Sequence, residues 1–278
     1  MHPAVYIDWG PIEFVTSAYR IALIAAALIA VGGTVLVGAR SGLKLRLMLA
    51  IAAIGGMGAL AGARILGAAN TGTSLLAVSF GAFSIWGAIA GGLAAILVVV
   101  KYAGCQRQLG TILDAAVVPV GLAIAVSRTG CLCAGCCFGM PTHAPWGITY
   151  PRGSSAHIAN LESTGALGDL FAGPVPVHPV PIYDGGAALL AAAVAVVINR
   201  RLVQPGFAPP GSMAMGFVAV YGIARVVIEA YRFHPVDPGL LSAVGWQVLF
   251  ASVAVAALTA LWHGVRSRSS QIVVERAT

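Results

Sequence analysis

A stripe of charged and hydroxyl side chains lies within an apolar segment near the C-terminal end of the sequence. Tyr221, Arg225, Glu229 and Arg232 are spaced four, four and three residues apart, so on an α-helix they share one face. Arg225 and Glu229 can pair at this spacing, which lowers the cost of placing either charge in a membrane. Because guanidinium recognises phosphate in a planar, bidentate way, the stripe indicates an anion-binding wall. The alternative is a buried ion pair that only holds helices together.

A cysteine-rich segment follows Arg128. Four cysteines occur within seven residues: Cys131, Cys133, Cys136 and Cys137. Thiols at this density can form disulfides, hold a metal ion or act as nucleophiles. The sequence has no second Cys-x-x-Cys pair at the partner spacing of a structural zinc site. We therefore expect a disulfide and no bound metal, with a metal site or a nucleophilic or relay role of Cys131 or Cys136 as alternatives.

A third group of polar residues lies where a proline-rich stretch meets the next apolar segment. It reads His178-Pro179, then Tyr183-Asp184. Proline favours an extended approach to the segment, and a carboxylate in a first helical turn suits the helix dipole. The group is therefore either a capped helix start with an interfacial tyrosine or part of a binding site.

The elements that must position these groups are membrane helices. Apolar residues make up 59% of the 278 residues and charged residues only 9%, too few polar side chains to cover a water-facing globule. A bilayer core about 30 Å thick requires about 20 helical residues. Seven apolar segments reach or approach this length: 18–38, 47–69, 75–100, 111–127, 182–198, 212–230 and 244–262. The sequence predicts an all-α polytopic membrane protein with about seven transmembrane helices.

The long polar stretch 128–181 separates the fourth and fifth of these segments. It is rich in proline, glycine, serine and threonine, which predicts a small irregular head with at most one short helix. No repeat or linker divides the sequence, so residues 1–278 are expected to form a single membrane domain that carries the head as an insertion. The first residues lack the basic region of a cleavable signal peptide.

The basic residues predict the orientation of the chain. Ten of the 16 lie in alternating loops and the tail: Arg40, Lys44, Arg46, Lys101, Arg107, Arg200, Arg201, Arg266, Arg268 and Arg276. The opposite loops contain only Arg128, Arg152 and Arg232. The positive-inside rule therefore places the C-terminus in the cytoplasm and the N-terminus and head outside. On this interpretation the net charge of +7 reports topology, and no nucleic-acid partner is expected.

The three polar groups, in this order, resemble the prolipoprotein diacylglyceryl transferase family of seven-helix bacterial inner-membrane enzymes. The family's Arg-x-Gly-Asn signature, which continues through Glu to Gly, is similar to Arg128-Thr-Gly130-Cys131, which continues through Cys136 to Gly139.

The rest of the resemblance covers most of the remaining chain. The family's His-Pro-x-x-x-Tyr-Glu segment is similar to residues 178–184, and its Tyr-x-x-x-Arg-x-x-x-Glu-x-x-Arg helix to the stripe at 221–232. Tyr19, Gly245 and Gln247 also agree with the family.

Three residues differ in chemical type from the family pattern, in addition to Asp184, which stands in place of the family's second glutamate. Cys131 stands in place of the family asparagine, and Cys136 in place of its glutamate. In the third helix, Trp86 precedes the glycine pair where the family carries a histidine. These departures are those of a divergent member.

The resemblance implies a transferase that moves the diacylglyceryl group of phosphatidylglycerol to the cysteine thiol of a prolipoprotein and releases glycerol phosphate. Arg128 and Arg225 would stabilise the departing phosphate, since fixed donors are most effective in a low-dielectric site, and Glu229 would orient Arg225. The expected substrate-binding residues are Tyr19, Cys131, Cys136, Gly139, His178, Tyr183, Asp184, Tyr221 and Arg232. His178 or an arginine-polarised group would serve as the base.

The resemblance also implies the partners. These are phosphatidylglycerol, other membrane lipids and a prolipoprotein or another thiol-bearing acceptor. A monomer without a cofactor is expected. The alternatives are a divergent member with a different acceptor and a non-catalytic lipid-binding or transport protein.

Overall fold

A computed structural model describes residues 4–9, 12–71, 74, 85–163, 173–233 and 243–277. The chain begins with an antiparallel hairpin of β1 (Ala4–Trp9) and β2 (Ile12–Ser17), in which Ala4 pairs with Ser17. Eight helices follow: α1 (Ala18–Arg40), α2 (Leu45–Thr71), α3 (Ile85–Tyr102), α4 (Leu109–Ala134), α5 (Ser155–Ser163), α6 (Val180–Ile198), α7 (Ser212–Glu229) and α8 (Ala243–Ala277). The hairpin, which the sequence analysis did not predict, is a small addition to a helical fold.

The helices confirm the polytopic, all-α membrane architecture. Within the described residues, six of them are long and apolar enough to cross a bilayer, and Gly87–Tyr102 within α3 is a shorter apolar helix. Each of the seven predicted segments coincides with one of these helices. Residues 75–84 of the third predicted segment lie outside the described residues.

Helix α4 extends seven residues beyond the segment predicted from hydropathy. It ends at Ala134, directly before Gly135, which adopts a φ of 68°. Glycine in this left-handed conformation is a common helix terminator because it has no Cβ. The extension carries Arg128 and Cys131 in the last two turns of the helix, so the helix holds both in fixed positions.

The chain forms two compact units, Val31–Ala116 and the remainder. In the first unit, α2 and α3 approach so closely that Gly62 and Gly87 leave no room for a Cβ atom, as is usual where membrane helices pack through small residues. In the second unit α6 packs against α7, and the α6 residues Ala188, Ala191 and Ala195 are fully buried. The second unit contains the polar groups identified in the sequence.

The segment between α4 and α6 is irregular apart from α5. Its backbone is tied to the neighbouring elements by hydrogen bonds from Gly139 N to His178 O (2.9 Å), from His178 N to Met140 O (3.0 Å) and from Met140 N to Tyr231 O (2.9 Å). These bonds hold the end of α4, the start of α6 and the end of α7 together. Residues 164–172 of this segment lie outside the described residues.

Candidate functional site

Asp184 is the centre of a buried ion-pair cluster in the second unit. Its carboxylate is 1% exposed, and Oδ2 lies 2.7 Å from Arg128 Nε and 3.2 Å from an Nη atom of Arg225. The Tyr221 hydroxyl donates a hydrogen bond to Oδ1 at 2.7 Å. One carboxylate on α6 therefore joins an arginine from α4 to an arginine and a tyrosine from α7.

Arg225 and Glu229 form the ion pair that their spacing predicted. The second Nη atom of Arg225 donates to Glu229 Oε2 at 2.7 Å, and both residues are buried. The Arg225 guanidinium carbon also lies 4.8 Å from the centroid of the Phe250 ring on α8, within the range of a cation–π interaction. Phe250 carries no polar group, and no sequence motif indicated this contact.

The charges of the cluster balance. The guanidinium groups of Arg128 and Arg225 are offset by the carboxylates of Asp184 and Glu229, as burial of charges requires. Arg128 Nε and the Arg225 Nη atom nearest Asp184 are buried, and within the described part of the chain neither makes a hydrogen bond of good geometry. Both N–H groups are therefore held by ion pairing to one carboxylate oxygen, Asp184 Oδ2.

A cleft of about 300 Å³ runs between α4 and α6 beside Arg128. Its walls are almost entirely apolar, and they are formed by Ala125, Arg128, Thr129, Leu132, Pro181, Ile182, Gly185, Gly186 and Leu189. The cleft therefore combines an apolar channel between two membrane-spanning helices with a guanidinium group, which suits an amphipathic anion.

Three cysteines converge next to Arg128. The turn after α4, with Gly135 and Cys137 both at positive φ, brings the Sγ atoms of Cys131, Cys136 and Cys137 within 4.8 Å of one another. All five cysteines of the chain are free thiols in the structure, so the disulfide expected from the sequence is not formed. Cys137 was not among the predicted site residues, although its place in the cysteine-rich segment was the available signal.

The thiol cluster is coupled to the ion-pair cluster through Arg128. One Nη atom of Arg128 lies 3.8 Å from the sulfur of Cys131 and 3.9 Å from that of Cys137. Hydrogen bonds from neighbouring thiols, with help from nearby guanidinium groups, lower the pKa of Cys137. The pKa of Cys136 is raised because its hydrogen bonds to Cys131 and Cys137 and its burial favour the protonated form.

His178 and Tyr183 belong to a separate polar and aromatic cluster at the start of α6. His178 Nδ1 lies 3.2 Å from the Tyr183 hydroxyl, which accepts a hydrogen bond from Trp146 Nε1 at 2.8 Å. The Tyr231 ring packs edge-on against His178, with the centroids 4.9 Å apart. Consecutive residues of a helix point in different directions, so Tyr183 joins this cluster while Asp184 joins the arginines. Trp146 and Tyr231 were not predicted as site residues.

The other predicted residues lie around these clusters. Tyr19 is the second residue of α1 and lies close to α4. A Cβ atom added to Gly130 of α4 would lie 3.3 Å from the Tyr19 Cα. Gly139 forms an isolated β-bridge with Arg232, which places Arg232 beside the turn after α4. The side chain of Trp86 lies outside the described part of the chain.

Gly139→Ala is expected to destabilise the protein. A Cβ atom at Gly139 would lie 2.5 Å from the Tyr231 carbonyl oxygen and 2.6 Å from His178 Cβ. Relieving such overlaps typically costs about 1–3 kcal/mol, so the midpoint of thermal unfolding in detergent should fall. Gly173→Ala is the matched control, because no atom of the described residues lies within 4 Å of its added Cβ; equal midpoints for the two variants would contradict this account.

Comparisons with known proteins give a matching family model and several similar enzymes. The family model described as prolipoprotein diacylglyceryl transferase matches residues 5–263. Three phosphatidylglycerol–prolipoprotein diacylglyceryl transferases are similar to the chain. That of Clostridium tetani is 29% identical over 55% of this chain and 53% of its own length. That of Brucella anthropi is 28% identical over 69% and 61%, and that of Geobacter sulfurreducens is 29% identical over 58% and 55%.

The matched stretches thus span between about half and three-fifths of each of these relatives. The family model covers the helices that carry Arg128, Asp184 and Arg225, together with the loops between them. The match extends over nearly the whole chain, and the chain therefore belongs to the prolipoprotein diacylglyceryl transferase family.

Proposed function

We propose that this protein transfers the diacylglyceryl group of phosphatidylglycerol to the cysteine thiol of a prolipoprotein. The observation that carries the proposal is the joining of Arg128 and Arg225 through Asp184 beside an apolar cleft. In a chain of this family, such a site can hold a lipid phosphate against fixed donors while the acyl chains remain in an apolar environment. The similar enzymes named above carry this activity in their names.

The reaction forms a sulfur–carbon bond and breaks a carbon–oxygen bond. The acceptor sulfur attacks the glyceryl carbon next to the phosphate, and the electron pair of the broken bond leaves on the phosphate oxygen as glycerol phosphate. Negative charge therefore grows on the phosphate in the transition state. The positive charges of Arg128 and Arg225, fixed by their ion pairs, would stabilise this charge more in the membrane interior than in water.

The two carboxylates of the site act as positioning groups in this proposal. Asp184 fixes both guanidinium groups, and Glu229 fixes the far side of Arg225. Tyr221, which donates to Asp184, adds a hydroxyl beside the phosphate. Because the arginines are held by short contacts before the lipid arrives, little reorganisation would be needed at the moment of reaction.

The cluster of Trp146, His178 and Tyr183 would receive the acceptor peptide. It lies at the start of α6, one residue from Asp184, and offers an imidazole and a hydroxyl at 3.2 Å from each other. Trp146 is 61% exposed, as suits an aromatic side chain at a membrane surface. We place this cluster, together with the N-terminus, outside the cytoplasm and the C-terminus inside, on the basis of the distribution of basic residues. The protein is proposed to act as a monomer.

The proposal is tested with purified protein, phosphatidylglycerol and a lipobox peptide. The expected result is a peptide whose mass increases by one diacylglyceryl group on the cysteine, with release of glycerol phosphate. A peptide with serine in place of the cysteine should gain no mass, because its hydroxyl is a much weaker nucleophile than a thiolate.

Two further arms identify the substrates. Replacing phosphatidylglycerol by phosphatidylcholine tests the donor, and replacing the peptide by a small thiol tests the acceptor. Release of glycerol phosphate with the small thiol but not with the peptide would point to a different acceptor. No turnover with any acceptor, while a transferase from Clostridium tetani is active alongside, would refute the transferase assignment and leave a lipid-binding protein.

A further inference from the structure

The transfer proposed above assigns no role to the thiol cluster of Cys131, Cys136 and Cys137, although Arg128 contacts two of its sulfurs. Its three Sγ atoms lie within 4.8 Å of one another. Cys131 is buried on the last turn of α4, whereas Cys136 and Cys137 are half-buried in the loop that follows. Three sulfur atoms therefore converge on one point from two elements, at the edge of the membrane-spanning part.

The local backbone is built to produce this convergence. Gly135 ends α4 at a φ of 68°, and Cys137 adopts a φ of 57°, a conformation that is uncommon for residues other than glycine. The Cys136 N–H donates to the Cys131 carbonyl oxygen at 3.1 Å, which closes the turn. The Tyr150 ring fills the space beside Gly135, where a Cβ atom would lie 3.2 Å from it. The loop is thereby held with its sulfurs facing Cys131.

The dimensions of the cluster suit a zinc ion. A Zn–S bond of about 2.3 Å in tetrahedral geometry places ligand sulfurs about 3.8 Å apart, so the observed limit of 4.8 Å requires each pair to close by at most about 1 Å. Thiolates are soft ligands that select Zn²⁺ over the hard cations Mg²⁺ and Ca²⁺. Three thiolates and one Zn²⁺ together carry one negative charge.

Arg128 would contact the sulfur ligands of this site without binding the metal itself. One of its Nη atoms lies 3.8 Å from the Cys131 sulfur and 3.9 Å from the Cys137 sulfur. A guanidinium group there can donate to the thiolates and offset the net negative charge, as outer-shell partners of metal ligands do. The Nε atom of the same arginine contacts Asp184 at 2.7 Å. The guanidinium group of Arg128 would therefore lie between a metal at the sulfurs and Asp184, the carboxylate that joins the two arginines.

We propose that Cys131, Cys136 and Cys137 bind one Zn²⁺ ion and leave its fourth coordination position for the acceptor thiol. Zinc sites with three protein ligands keep an open position for substrate, and a thiol that coordinates a metal loses its proton. The acceptor would release this proton to water on binding, and its sulfur would then attack the glyceryl carbon while the phosphate oxygen leaves with the electron pair. The fourth-ligand role rests on the proposed function, whereas the three-cysteine metal site rests only on the cysteines.

The metal site is tested on the full-length protein, purified under reducing conditions in detergent without chelators. Elemental analysis is expected to find one zinc per chain. Cys131→Ser, Cys136→Ser and Cys137→Ser should each reduce bound zinc at least tenfold at a fixed micromolar zinc concentration. The matched controls Cys133→Ser, in the same segment, and Cys105→Ser should retain the wild-type amount, since neither belongs to the cluster.

Cobalt substitution provides a test that needs no variant. Co²⁺ bound to the wild-type protein should give intense sulfur-to-metal charge-transfer absorption, and zinc should displace it. Adding a lipobox peptide should change the cobalt spectrum, whereas the serine peptide should leave it unchanged. A protein whose five thiols all react with an alkylating reagent but which binds neither metal would overturn the site. A native disulfide between any two of the three cysteines would do the same.

Comparing metal content with activity separates the two proposals. Undiminished transfer by a protein shown to contain no metal would refute the fourth-ligand role and leave the transferase assignment standing. Bound zinc and a peptide-dependent cobalt spectrum without any transfer would support the metal site and count against the transferase. Loss of transfer on removal of zinc, with recovery on its return, is the result expected if both are correct.

Discussion

Arg225→Ala is expected to lower the rate of diacylglyceryl transfer by about 10²–10³-fold, the usual effect of removing one donor that stabilises a developing oxyanion. Arg225 is 6% exposed and contacts Asp184, Glu229 and the Phe250 ring. Because the site is buried, placing a water molecule where the Arg225 N–H groups were would cost free energy. The measurement is the initial rate of lipobox-peptide modification at saturating phosphatidylglycerol.

The alanine variant also leaves Glu229 buried without this guanidinium partner, which is itself destabilising. The double variant Arg225→Ala/Glu229→Gln removes both charges and separates the two effects. We expect it to unfold closer to the wild-type temperature than the single variant while remaining as inactive. Arg225→Lys keeps the charge but loses the planar fork, so it should retain only part of the activity.

The control for a general effect of lost positive charge is Arg40→Ala. Arg40 is exposed at the end of α1, and its loss should leave transfer unchanged. A folded double variant at position 225 and 229 with wild-type transfer would exclude Arg225 from the reaction and reduce the stripe on α7 to a structural ion pair.

The sequence was sufficient to predict the membrane helices and the polar face of α7. Both follow from short-range periodicity: about twenty apolar residues define a span, and residues three and four apart must share a helix face. The pair formed by Arg225 and Glu229 lies within one helix, so its spacing alone predicted the contact that the structure shows at 2.7 Å.

The contacts between helices could not be predicted in this way. Asp184 could equally have been a helix-capping residue, because its position in the first turn of α6 suits the helix dipole. Its contacts with Arg128 and Tyr221 arise from the packing of α4 and α7 on α6, which single-sequence patterns do not contain. The same reason explains why Phe250 was missed, since an apolar residue on α8 carries no local signal of a cation beside it.

The prediction of a disulfide was wrong for a related reason. Cysteine density indicates that thiols are close, but the outcome depends on how the loop after α4 turns. Two left-handed residues, Gly135 and Cys137, fold the loop so that three sulfurs surround one point. Three sulfurs around one point can bind a single ligand together. The spacing of the cysteines in the sequence does not show that their sulfurs converge.

Replacing Asp184 by asparagine is expected both to slow transfer strongly and to destabilise the protein. Removing one member of a buried ion pair typically costs about 3–5 kcal/mol, and here a single carboxylate serves two guanidinium groups. The amide keeps the size of the side chain and can still accept the Tyr221 hydrogen bond, so any loss is due to the missing charge. The measurements are the thermal unfolding midpoint in detergent and the transfer rate at a temperature where the variant is folded.

Two variants distinguish a positioning role from a purely structural one. Asp184→Glu restores the charge with the residue that the family resemblance places at this position, and it should recover most of the stability and transfer. Tyr221→Phe removes one hydrogen bond to a charged group, worth about 1.5–3 kcal/mol, and should lower both quantities by less than Asp184→Asn does.

The control for the loss of a carboxylate elsewhere is Glu162→Gln. Glu162 is exposed on α5 and lies outside the cluster, so this variant should match the wild type in unfolding midpoint and transfer rate. If Asp184 only stabilised the fold, Asp184→Asn would transfer at the wild-type rate once folded at low temperature. If it positions the arginines, folded Asp184→Asn should bind phosphatidylglycerol but transfer it slowly, because Arg128, with 25% of its side chain exposed, is then free to leave the phosphate. A lower maximal rate with little change in KM for the lipid is therefore the outcome expected of a residue that orders the two cations before the reaction begins.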